Sequence, residues 1–214
     1  MPGPGQNKSN IVAGPLTIPY FGGSCVAFLP LQNTTNDYKE VIRSAAAINT
    51  TSVLQAVLGE DIDATILAGF EAQTNLTLDL YNSPHATAME VAWAGSNTIP
   101  VAILRPLSRG VITINSTAPS APPVFNYGTF KHPADEAISV LALKKTREWI
   151  NSAPMQELSP TELAPGAKYT TDEQISTALR GFARGTWTHP TSSLSMMPRE
   201  LGGVVDPSLK VYGV

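Results

Sequence analysis

The chain has 214 residues, 43% of them hydrophobic and 14% charged, with a formal net charge of −3 at pH 7. That apolar content can bury a core, and the low charge leaves Ser, Thr, Asn, Gly and Pro to make the polar surface. No basic run is present, so the electrostatic footprint of a nucleic-acid binder is missing; apolar stretches such as "SVLQAVLG" and "TIPVAIL" are too short to cross a bilayer.

The opening "MPGPGQNKSN" has neither the basic segment nor the apolar stretch of a secretory leader. "NIVAGPLTIPYFGGSCVAFLPL" comes next, apolar and broken by Gly and Pro, which predicts short strands or loops. Cys25 lies in it as the only cysteine, excluding an internal disulfide, and its apolar setting predicts a buried structural thiol in a reducing, cytoplasmic interior. Asn-x-Ser/Thr triplets occur at Asn33, Asn49, Asn75 and Asn115; without a leader they are expected to stay unmodified.

"NDYKEVIRSAAAI" predicts a helix capped by Asn36, with Tyr38, Val41, Ile42, Ala45 and Ile48 on one stripe. "TTSVLQAVLG" predicts another, closed by Gly59, and "EDIDATILAGFEAQTNL" a third with acids in its first turn. "TAMEVAWAG" alternates as a strand, and "TIPVAILRPLSRGVITINS" predicts an antiparallel hairpin around "PLSRG". "HPADEAISVLALKKTREWINSAP" opens a helix with Pro133, complements its dipole with Asp135 and Glu136, and points Ile138, Leu141, Ala142 and Trp149 at a core. "TTDEQISTALRGFARGTW" predicts a last helix capped by Thr170 or Thr171, with Glu173 completing a capping box. These elements make one α+β domain over residues 1–214, an antiparallel sheet with helices packed on it.

Of the three histidines, His85 and His132 sit beside prolines, where a surface or capping role suits them. His189 comes after a helix and Trp187 and opens the hydroxyl-rich loop "TSSLS", a setting in which imidazole can serve as general acid or base near neutral pH. The hydrolase elbow G-x-S-x-G is absent, the histidines lack metal-ligand spacing, and neither "GPGQN" nor "LGGVV" is the G-x-G-x-x-G of a dinucleotide site.

Several segments, in order, resemble the glucose–methanol–choline (GMC) family of flavin oxidoreductases. "PGPGQN" at residues 2–7 looks like the family's PGVGxNLQDH, although it continues here as "KSN", without the usual Asp-His. "ILRPLSRGVITINSTAPSAPPVFNYG" looks like RPxSRGxVxLxSxdPxxxPxIxxxY, and "ELAPGAKYTTDEQISTALRG" like the helix approach that comes next. "HPTSSLSMMPRELGGVVDPSLKVYGV" resembles HPxGTCxMxxxxxGGVVDxxLRVYGV. The resemblance implies the family's substrate domain, an α+β unit with an antiparallel sheet of about six strands flanked by helices. It also implies that His189 is the base taking an alcohol proton as hydride goes to the flavin. Ser192, Ser193 and Leu194 stand where the pattern has Gly, Thr and Cys, and the missing glycine suggests a loop freed from close backbone approach.

FAD is expected for the family, but its binding motifs are not visible here, so no cofactor is expected on this chain. The favoured expectation is a flavin-independent catalyst of cyclisation, isomerisation or a pericyclic step on a small organic, secondary-metabolite substrate. In it His189 is catalytic, Arg105, Arg109, Trp187, Ser192 and Ser193 line the pocket, and a homodimer covers the surface that faces the flavin domain in the family. The alternative is the substrate-binding half of an FAD-dependent alcohol oxidoreductase, inactive alone or needing a partner chain. Neither reading involves nucleic acid, membrane or metal.

Overall fold

In the computed structural model, residues 25–93, 99–185 and 189–214 are described. Strand β1, Cys25–Leu29, pairs antiparallel with β2, Met89–Trp93, which pairs antiparallel with β3, Val101–Ile103. A separate two-stranded ribbon is formed by β4, Val111–Thr113, and β5, Val124–Asn126. Helices α1 (Tyr38–Ala46), α2 (Thr50–Leu58) and α3 (Ala64–Tyr81) lie between β1 and β2 in sequence. Helices α4 (Pro133–Ile150), α5 (Ala153–Gln156) and α6 (Asp172–Phe182) come after β5. The expected α+β mixture is present, but the described residues hold a three-stranded sheet and a two-stranded ribbon, not a sheet of about six strands.

The expected hairpin around "PLSRG" does not form. The backbone N–H groups of Leu107 and Ser108 donate to the two carboxylate oxygens of Asp135, at 2.8 and 2.7 Å. Tyr81 Oη donates to the Arg105 carbonyl, and Arg105 Nε donates to the Thr87 carbonyl at 3.0 Å. These bonds fix residues 105–109 against α3 and the first turn of α4. β3 therefore stays with β2, while β4 leaves to pair with β5.

The core lies along the stripes that the sequence predicts. Ala45, Leu78, Tyr81, Ala88, Leu107, Ala134 and Ile138 are buried together, with Tyr38, Val41 and Ile42 packed against them. Met89, Val91 and Ala142 form a second cluster, in which one face of the sheet meets α4. Burial of each large apolar side chain contributes roughly 1.5–3 kcal/mol before conformational entropy is subtracted. Trp149, expected in the core, lies at its margin: it is 37% exposed and meets Trp93 edge-on with ring centroids 6.4 Å apart.

Helix ends are set by local chemistry. Gly59 closes α2 at φ 89°, as expected, but α1 begins after Asp37 and not after Asn36. Asp63 caps α3 from outside the helix, accepting from Thr65 N, so no acid sits in that first turn. Thr171 caps α6, and the capping box is completed by Gln174, one residue beyond the expected Glu173. Arg180 on α6 holds Glu136 on α4 at 2.6 and 3.0 Å, and Ser176 adds a bond to the same carboxylate. Cys25 is exposed, contrary to expectation. β1 is an edge strand, and its residues from Cys25 to Phe28 are all exposed.

Candidate functional site

Helix α3 is the spine on which two sequence motifs are mounted. Gly69 faces the short 3-10 turn Arg199–Leu201 so closely that a Cβ there would lie 2.1 Å from the Leu201 carbonyl oxygen. Only glycine permits that approach. One residue on, the Phe70 ring lies under the Arg109 guanidinium, 5.6 Å from centroid to carbon. One turn further, Gln73 Oε1 accepts from Arg109 Nη2 at 3.2 Å while Gln73 Nε2 donates to the Met197 sulfur at 2.8 Å. Gln73 thus joins the "RPLSRG" turn to the chain's final segment.

That segment is folded on itself. Val204 N donates to the Ser195 carbonyl at 2.8 Å, Tyr212 Oη to the Met197 carbonyl at 3.1 Å, and Ser195 Oγ to the Ser192 carbonyl at 3.0 Å. Gly203 sits where a Cβ would be 1.8 Å from the Met197 carbonyl oxygen. Ser192 has φ 69°, in the left-handed region that glycine enters freely. The backbone of this loop thus retains a glycine-like conformation although serine occupies it.

The residues expected to form a pocket divide into two groups. Arg105 and Arg109 are structural: Arg105 binds the Thr87 carbonyl, and Arg109 Nη1 binds the carbonyls of Pro106 and Ser108 at 2.7 and 2.9 Å. Burial lowers the Arg109 pKa, with Asp135 and then Tyr81 opposing that shift. His189, Ser192 and Ser193 are exposed, and Leu194 beside them is 64% exposed. Trp187 lies outside the described residues. Two surface grooves of about 440 and 340 Å³ occur among the described residues, and none of the expected site residues lines either. The structure therefore brings Arg109 to the final segment through Gln73, while the five described candidates line neither of these grooves.

His132 has a capping role, as expected, but it is fully buried and not at the surface. Its Nδ1 accepts from Ala134 N at 3.2 Å, and its own backbone N–H donates to Ser108 Oγ at 2.9 Å. Burial lowers its pKa, with Asp135 partly opposing. Two residues of this network, Gln73 and Asp135, are not candidates from sequence. Asp135 reads there as a dipole-complementing acid, and Gln73 as one polar residue among several in α3.

Two open faces each carry neighbouring exposed apolar side chains. In the ribbon, Ile112 pairs with Phe125, and the alternation of a strand places Ile114 and Tyr127 on that same side. These four are 44%, 46%, 74% and 47% exposed respectively, and the Phe125 and Tyr127 rings stack at 6.1 Å. Gly185 crosses against the Tyr127 ring of this face. The second face is on β1, where Val26 and Phe28 turn away from α4 and are 40% and 55% exposed.

A model of the GMC oxidoreductase family matches residues 106–214, a span running from the "RPLSRG" turn through the His189 loop to the end of the chain. The chain belongs to the GMC oxidoreductase family. Dehydrogenase xptC of Emericella nidulans is 33% identical over 189 residues, which cover 87% of this chain and 30% of that protein. Versicolorin B synthase of Aspergillus parasiticus is 29% identical over 118 residues, covering 55% of this chain and 18% of that enzyme. An FAD-dependent oxidoreductase from Chaetomium thermophilum superposes with a TM-score of 0.78 at 32% identity, over 88% of this chain and 32% of that one. This GMC chain thus spans less than a third of the length of each of these relatives.

Proposed function

We propose that this GMC chain is the substrate-side part of an oxidoreductase acting on a small organic alcohol, with His189 as the base that takes the hydroxyl proton. The supporting observation is the open state of the His189 loop. His189, Ser192 and Ser193 face solvent, neither groove includes them, and Ser192 still holds a left-handed backbone. A base needs a substrate held within hydrogen-bond reach and shielded from bulk water. In this reading that shielding comes from protein outside the described residues.

The described residues do not fit FAD themselves. A pyrophosphate needs free N–H groups at a helix N-terminus. The N-termini of α2, α3, α4 and α6 are each closed by a side chain, namely Asn49, Asp63, His132 and Thr171, and that of α1, which has no side-chain cap, carries Asp37 at its N-cap and Glu40 in its first turn. Asp63 and Asp135 add negative charge at two of them. In this reading the cofactor expected for the family is held by residues other than these. The role proposed for this chain is to bind the alcohol and to receive one proton on an imidazole nitrogen of His189.

A second reading is flavin-independent cyclisation, isomerisation or pericyclic chemistry, with a homodimer covering the open faces. Ser193 and Leu194, standing in place of Thr and Cys, support it, as does a relative whose name is that of a synthase. In that case His189 moves a proton without any oxidation. The visible spectrum and size of the protein purified from its producing cells separate the two. Flavin bands support the oxidoreductase; a colourless dimer that turns over a substrate overturns it.

A further inference from the structure

We propose that Asn115 is an N-glycan acceptor. The triplets at Asn33, Asn49, Asn75 and Asn115 all fall within the described residues, and a further one at Asn7 lies outside them. Asn33, Asn49 and Asn75 are exposed and Asn115 is half-buried, so exposure alone does not choose among them. Hydrogen bonding does.

Glycan transfer takes place on a chain not yet fully folded, and it needs the hydroxyl at the third position of the triplet close to the asparagine amide. At Asn115 this arrangement is complete within three residues. Asn115 Oδ1 accepts from Thr117 Oγ1 at 2.8 Å and from Thr117 N at 3.1 Å. The closure is local, so it forms without the rest of the fold. Among the described residues, Asn115 Nδ2 has no acceptor and is free to react. Among the described residues the other triplets make no such closure. Thr77 Oγ1 donates to the Gln73 carbonyl inside α3, Asn49 Oδ1 caps α2 through Ser52 N, and Thr35 Oγ1 accepts from Asp37 N.

In the reaction, Asn115 Nδ2 forms a bond to the anomeric carbon of an oligosaccharide carried on a lipid pyrophosphate. The anomeric C–O bond breaks, the lipid pyrophosphate leaves with the electron pair, and Nδ2 gives one proton to a base of the transferase. The folded protein has room for the product. Residues 116–127 are exposed throughout, and the loop between β4 and β5 is the free tip of the ribbon. The ribbon's base is anchored at Gly128, where a Cβ would meet the Arg109 carbonyl oxygen at 1.9 Å. A glycan at Asn115 makes the tip strongly hydrophilic beside Ile114, which is 74% exposed. It also confines any protein partner of the ribbon to the end near Tyr127 and Gly185.

This assignment places the chain in the secretory route, against the cytoplasmic expectation from the single cysteine. It is tested on protein purified from its producing cells, treated with peptide N-glycosidase F in heavy-oxygen water and mapped by mass spectrometry. The expected result is a heavy-oxygen aspartate at Asn115, lost in both Asn115→Gln and Thr117→Ala and kept in Asn75→Gln. An unmodified Asn115 peptide recovered at full yield overturns the proposal. Flavin absorbance measured on the same sample reports on the oxidoreductase reading independently.

Discussion

The "RPLSRG" turn and the "HPTSSLSMM" loop are both family-pattern segments, and they are built in opposite ways. The first is fixed by side chains distant in sequence: Asp135 holds two of its N–H groups, Tyr81 takes one carbonyl, and Phe70 and Gln73 engage Arg109. The second is held mainly by groups close in sequence, Val204 N, Ser195 Oγ and Tyr212 Oη donating to its carbonyls with Gln73 as a distant partner, and His189, Ser192 and Ser193 face solvent. A motif can therefore mark buried architecture in one place and an exposed surface in another. Burial and the number of hydrogen-bond partners separate the two kinds.

Substitutions should reproduce that contrast. Asp135→Ala strips two buried N–H groups of their acceptor and is expected to lower stability by about 3 kcal/mol, read by denaturant unfolding. A loss under about 1 kcal/mol would mean that water replaces the carboxylate and that the turn is not held as described. Gly203→Ala drives a methyl into the Met197 carbonyl and should cost about 1–3 kcal/mol by the same measurement.

His132 makes the architectural side sensitive to pH. Burial lowers its folded pKa below the ordinary value of 6.5, so the unfolded chain binds more protons in that window. Its contribution is fully present above pH 6.5 and is lost as pH falls from there through the folded value. The slope is at most about 1.4 kcal/mol per pH unit. Thermal melts of His132→Asn, which keeps a capping side chain, should show a flatter pH dependence than the parent. On the exposed side, Ser192→Gly should leave stability unchanged or raise it by up to about 1 kcal/mol, since glycine enters the left-handed region without the Cβ contact. A clear destabilisation would show that the serine makes contacts beyond its backbone.

Much of the helical framework is legible because its signals are local. The stripe through Tyr38, Val41, Ile42 and Ala45, the stop at Gly59 and the proline opening α4 each arise from a few adjacent residues. A β3–β4 hairpin is the wrong expectation because the deciding contact runs from Leu107 and Ser108 to Asp135, 28 and 27 positions away. No period in the sequence carries that information. The burial of Cys25 is misjudged for a related reason: an apolar strand reads the same at a sheet edge as at its centre. In the candidate site, His189 is proposed from the family pattern. The structural duties of Arg105 and Arg109 are not, since a carbonyl partner leaves no mark on sequence. Gln73 escapes notice because one amide on a long helix carries no signal of its own.

The proposed oxidoreductase role requires His189 to act as a base on an exposed loop that other protein would cover. Its most direct test is the rate at which an alcohol bleaches the flavin bands of the purified protein without oxygen, compared between the parent and His189→Gln. The account predicts unchanged folding and flavin content in the variant, with bleaching slowed by about 10²–10⁴-fold. Bleaching at the parental rate, or a flavin-free parent that still converts its substrate, would contradict it.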